Sequence, residues 1–240
     1  MAIFNSEAKA LQKVKEMILY AGLSIDKKHT KKKFPQISFR PPITRTQIYK
    51  DFEKGYRVFL IADGEFDQSL AVSSGEIMDI IRAGGLVFGS SSMGALRAAE
   101  LYEYGMIGVG EIFNVIQSTE NFMDDWLGHL FDPYTHEMTT LPFIEVLFIL
   151  KPYLDESITK FGVKISDRKS FRFDSLTQKK CYQLISSLKL KQEKAILRSV
   201  DSLFSGKRKP QKRIDAELMI SQALKRLQFV RQINKRLGGE

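Results

Sequence analysis

Three consecutive serines, Ser90-Ser91-Ser92, separate an apolar run at Leu86–Phe88 from an alanine-rich run at Met93–Tyr104. A buried strand passing into a helix through small side chains lets a ligand approach the backbone closely. The first N–H groups of such a helix lack internal partners and favour an anion, here a carboxylate or thiocarboxylate. Ser90-Ser91-Ser92-Met93-Gly94 is also close to the nucleophile elbow G-x-S-x-G, with Ser90 in place of the first glycine. That pattern makes Ser92 a nucleophile held between strand and helix. The acids Asp124 and Asp125 and the bases His129 and His136 follow in the chain order of a triad. They do so within a helical region, without the further strands that such a fold carries, which argues against a full triad. The plain alternative is a tight turn whose alanines let the helix lie close to a sheet.

Asp63 ends another apolar run, Tyr56–Ala62, and belongs at the same edge if the two strands are parallel. The expected cleft therefore holds Asp63, Ser92 and Arg97, with Arg45 and Glu76 nearby. No metal is expected. His129 and His136 are seven apart with Asp132 between them, no H-E-x-x-H occurs, and Cys181 is the single cysteine. No cofactor is expected either, since neither a Walker lysine loop nor a G-x-G-x-x-G follows a strand. The ending Leu237-Gly238-Gly239-Glu240 resembles a sulfur-carrier tail, on a chain too helical for that fold.

The elements that must position these residues alternate. Helix is expected at 5–20 after a short strand at Ala2–Phe4, and Lys27–Lys33 reads as a basic loop. Strands follow at Ile37–Phe39, Tyr56–Ala62 and Leu86–Phe88, with helices at Thr44–Lys54, Ser74–Arg82 and Met93–Tyr104. This β-α alternation predicts an α/β fold: a small, mostly parallel sheet of three or four strands flanked by helices. The strands at 56–62 and 86–88 should be adjacent and parallel. Beyond Gly110 the pattern is helical, at Phe143–Tyr153, Leu176–Leu188, Glu193–Phe204 and Ile214–Leu237, with a basic linker at Gly206–Lys212. The expected division is 1–33 as N-terminal helix and basic loop, 34–156 as α/β core, and 157–240 as a basic helical C-terminal region.

The 240 residues are 43% hydrophobic, enough for a core, and no apolar run is long enough for a transmembrane helix. The N-terminus shows no signal pattern, so a cytoplasmic protein is expected. The net charge of +9 is uneven: +5 over residues 1–33, −7 over 34–178 and +11 over 179–240. The basic end reads as a solvated surface or as a grip on an acidic protein. Nucleic acid is disfavoured, because no recognition motif accompanies the charge. As an appended module, residues 206–240 should be removable without unfolding the α/β core.

Several segments together resemble the TfuA-like family. The family's Pro-Pro-then-Arg element matches Pro41-Pro42-Ile43-Thr44-Arg45, and its I-I-D-G-x-F matches Ile61–Phe66. Its G-A-S-S-M-G-A-L-R-A-A-E-L matches Gly89–Leu101 with only Ser90 differing, and its Y/F-G-M-x-G-x-G-x-I-F matches Tyr104–Phe113. The likeness runs through most of residues 34–150. It departs at Ser73-Ser74-Gly75, where the family has Trp-His-Lys, and at Trp126, which replaces the third acid of D-D-E after Asp124 and Asp125. The resemblance implies a partner of YcaO-type enzymes, which use ATP to activate a peptide amide oxygen. In thioamide-forming systems a sulfur nucleophile then replaces that oxygen, in ribosomal-peptide (RiPP) biosynthesis. The partner would bind the enzyme and route sulfur, from a thiocarboxylated carrier protein, or meet the precursor peptide. The residues it marks are Ser92, Asp63 and Arg97 for catalysis, and Arg45, Gly64, Glu76, Ser91, Met93, Gly94, Glu100, Asp124 and Asp125 for binding. An accessory role without catalysis is the first reading. A serine hydrolase acting through Ser92 on a thiocarboxylate or thioester is the second, and a basic module for nucleic acid or an acidic protein is the third.

Overall fold

The computed structural model describes residues 17–67, 69–120, 122–128, 130, 139–166 and 176–236. The strand and most of the helix expected before residue 17, His129, Asp132, His136 and the tail from Leu237 lie outside these residues. Five strands form one sheet: β1 Met17–Tyr20, β2 Ile37–Arg40, β3 Val58–Ile61, β4 Leu86–Gly89 and β5 Ile107–Gly108. Their order is β2-β1-β3-β4-β5 and every pairing is parallel. The expected neighbours β3 and β4 pair from Val58↔Leu86 to Ile61↔Gly89. The connections carry α1 Lys27–Lys33, α2 Gln47–Glu53, α3 Ser74–Arg82 and α4 Met93–Leu101. The chain then runs through α5 Glu111–Ser118, α6 Phe143–Leu150, α7 Ile158–Ser166, α8 Gln178–Ser187, α9 Glu193–Phe204 and α10 Gln211–Arg236.

Met17–Tyr20 is a strand and not the end of a helix. Its 3–4 spacing fits a helix, but all four side chains are buried, and hydrogen bonds to β2 and β3 on either side decide the matter. Lys27–Lys33 is a helix and not a loop. Asp26 caps it by accepting the His29 amide at 3.0 Å, and Lys31, Lys32 and Lys33 lie at its negative end. The same amide holds the Asp26 carboxyl below its usual range. β5 is too short, at two residues, to stand out in the sequence.

Contacts gather the chain into two units, residues 1–113 with 212–240, and residues 114–211. In the first, one face of the sheet presents Met17, Leu19, Ile37, Val58, Leu60, Leu86 and Phe88. These share a core with Ala216, Met219, Ile220, Ala223 and Leu227 of α10. The opposite face packs against α2, α3 and α4: Phe59 stacks on Phe52, and Tyr20 donates to Asp51 at 2.9 Å. The last helix of the basic region is therefore one wall of the α/β core. In the second unit α6 is buried along its whole length, and Trp126 meets the edge of Phe143 at 5.3 Å.

Asp51 is fully buried. Burial pushes its carboxyl up, but hydrogen bonds from Gln47 and Tyr20 and the charges of Arg40 and Lys54 outweigh it, leaving the group below its ordinary value. A carboxyl depressed on folding gives stability that is present above its unfolded value of about 3.9 and lost as pH falls through the folded one. Asp51→Asn should therefore flatten the acid limb of a stability–pH curve, measured by urea melts between neutral pH and acid. Ile220→Ala should cost about 2–5 kcal/mol in the same melts. Deleting residues 206–240 should leave no cooperative transition, because it bares an apolar face of the sheet.

Candidate functional site

β4 ends at Gly89 and α4 begins at Met93, so the three serines form the elbow at the carboxyl edge of the sheet. All three are buried, Ser92 being 3% exposed. Gly94 needs its bare Cα because a side chain there would collide with the carbonyl of Ile61. This close approach lets the elbow hydrogen-bond to the end of β3. Ser90 N–H donates to Ile61 O at 3.0 Å, and Ser92 and Gly94 N–H groups donate to Ala62 O at 3.2 and 3.3 Å. Ala95 N–H donates to Ser90 O at 3.0 Å. The start of α4 is thus less open to an anion than its sequence suggests. The Met93 amide alone among the amides of residues 92–95 has no acceptor among the described residues. Ser91 holds φ at +69°, in the left-handed region that a β-carbon disfavours.

The elbow is braced from the far end of the chain. Ser91 Oγ donates to the carbonyl of Lys212 at 2.7 Å, and Lys212 Nζ donates to Ser92 Oγ at 3.1 Å. Lys212 is 5% exposed. One turn on, Asp215 Oδ2 accepts the Ile112 amide at 2.8 Å and fills the space beside Gly110. Sequence reasoning placed Lys212 in a basic linker. The signal that finds it is its place one turn before Ala216, on the stripe that continues through Met219, Ile220, Ala223 and Leu227.

The other expected residues are engaged in bracing. Asp63 Oδ2 accepts the amides of Gly22 and Ser24 at 2.7 and 3.0 Å, and Oδ1 accepts the Ser24 hydroxyl at 2.6 Å. It therefore ties the loop after β1 to the end of β3, where the strand order reverses. Gly64 lies under Met93 and Ile43. Glu76 forms a capping box with Ser73 and accepts the Thr46 amide at 2.5 Å. Arg97 donates to Val72 O at 2.9 Å and pairs with Glu100 at 2.6 Å, and Glu100 also accepts from Ser74. The Arg45 amide donates to Leu70 O at 2.7 Å. Asp124 and Asp125 are exposed in a single 3-10 turn of the second unit. Cys181 is buried in that unit, and burial pushes its thiol up to about 12.

Residues 63–168 match the family model described as TfuA-like protein. The match takes in the elbow and begins after the Pro41–Arg45 element. No curated protein matches the chain.

Gly94→Val should destabilise the fold by about 1–3 kcal/mol or more through overpacking against β3. Ser91→Ala should cost about 1 kcal/mol, one hydrogen bond. Thermal melts of the two variants order these effects. Cys181 should stay unmodified by a maleimide in the native protein and react fully in denaturant.

Proposed function

We propose, from the premise that this chain belongs to the TfuA-like family, that it is an accessory protein to a YcaO-type enzyme in thioamide formation. The family match over residues 63–168 is the observation that carries this reading. In it, the partner activates the peptide amide with ATP, and this chain binds that partner and routes sulfur to it from a thiocarboxylated carrier. No described helix is long and apolar enough to cross a membrane, which is compatible with work in the cytoplasm on a peptide substrate.

The departures from the family pattern fit an accessory role at those positions. Where the family has Trp-His-Lys, Ser73 caps α3 and Ser74 bonds Glu100, so the segment has become a helix start. Where it has the third acid, Trp126 is buried between Phe122 and Phe143.

The test is affinity purification of the tagged chain from its own cells, with mass spectrometry of what co-purifies. A YcaO-type enzyme, enriched over a tag-only control, is the expected result. Its absence, with a purified YcaO-type protein from the same cells also failing to bind in a titration, would overturn the reading.

A further inference from the structure

We propose that α1 and the outer side of α10 form one docking surface for an acidic amphipathic helix of a partner protein. The proposal concerns a surface and does not rest on the YcaO-type reading. The inner side of α10 is taken by Ala216, Met219, Ile220, Ala223 and Leu227, which pack on the sheet. On its opposite side Ile214, Leu218, Lys225 and Phe229 recur at i, i+4, i+11 and i+15, a spacing that brings them into one line along a helix. The three apolar side chains are 43, 43 and 58% exposed, and Lys225 is exposed among them. Apolar residues scattered singly over a surface are ordinary. A line of them on a helix that already buries another face is a contact stripe.

α1 supplies the charge. Lys27, Lys28, Lys31, Lys32 and Lys33 are all exposed, and among the described residues none of the five is in an ion pair. Lys27 and Lys28 stand at the positive end of their helix, and they repel Lys31 and Lys32 at i, i+4. An acidic partner relieves both penalties. The two helices lie on the same face of the sheet, since Ile25 and Phe34 at the ends of α1 share the core of α10. Their first turns are close enough for the Arg213 charge to act on Asp26, the cap of α1. Beyond Glu217, α10 contains no acid.

The pattern selects among occupants. From Leu218 to Phe229 the stripe runs about 16 Å, at about 1.5 Å per residue, which is the length of a partner helix of about three turns. Such a helix seats apolar residues at the two ends of the stripe and turns carboxylates to Lys225 and α1, as amphipathic helices do in grooves. A bilayer asks for a continuous apolar face, and here Ser221, Gln222 and Lys225 divide the stripe. Nucleic acid gains nothing from Ile214 and Leu218, and Phe229 alone is no stacking platform.

The experiment titrates the full chain into a fluorescein-labelled peptide of about 20 residues, rich in glutamate with leucines at i, i+4 and i+11, and reads anisotropy at about 0.15 M salt. A second peptide has the same composition with its leucines scattered. A short DNA duplex and vesicles of phosphatidylcholine with about one-third phosphatidylserine are titrated alongside. The patterned peptide should bind at least about tenfold more tightly than the scattered one and more tightly than the duplex or the vesicles. Leu218→Glu and Lys225→Glu, both at exposed positions, should each weaken it by about tenfold or more, with thermal melts confirming that the variants fold. Tyr104→Ser, in the exposed turn after α4, should leave it unchanged. Raising the salt to about 0.3 M should weaken binding to the unaltered chain more than to Lys225→Glu. No binding, equal affinity for the two peptides, unchanged affinity in folded Leu218→Glu and Lys225→Glu, or tighter binding of the duplex or the vesicles would each overturn the proposal.

Discussion

A parallel sheet must be covered on both faces, and this chain covers one of them with its last helix. The helices α2, α3 and α4 pack on one side of the strands. On the other, α1 contributes little beyond its flanks at Ile25 and Phe34, so the remaining apolar surface is taken by α10. Met219, Ile220 and Leu227 are buried there, each worth about 1.5–3 kcal/mol relative to exposure. Docking α10 in this way fixes its first turn at the carboxyl edge of the sheet. Lys212 then meets the elbow and Asp215 meets the start of α5. The geometry of the site follows from the need to bury a sheet face.

The same edge is held together by polar groups used as braces. Asp63 joins the loops after β1 and β3, and Glu76 joins the start of α3 to the turn before α2. These carboxylates are satisfied by backbone amides within the protein. Lys212 braces the elbow in the same way, its carbonyl accepting the Ser91 hydroxyl and its amine donating to Ser92. Burial without reactivity is seen at Cys181, whose raised thiol makes it a poor carrier for sulfur.

Much of the fold was legible because its strongest signals are local. Val58–Ile61 and Leu86–Gly89 are continuous apolar runs, and Gly94 with its flanking alanines announces a helix lying hard against a strand. β1 was not legible, since Met17–Tyr20 is equally apolar for a helix face and only its two neighbours make it a strand. α1 was hidden by a lysine-rich composition that masks a good cap at Asp26. At the site, sequence picked out Ser92 through the elbow but had no means of pairing it with a lysine 120 residues away. Nor could it tell that Asp63 and Glu76 brace loops, because a carboxylate that does chemistry would stand at the same strand ends and helix starts.

Native-state hydrogen exchange followed by mass spectrometry tests most directly whether α10 belongs to the sheet. Amides of α10 from Ala216 to Leu227 should share the slow exchange of β3 and β4, opening with them as one cooperative unit. Fast exchange across α10 while β3 and β4 remain protected would contradict the account, because a helix that opens by itself cannot hold Lys212 at the elbow.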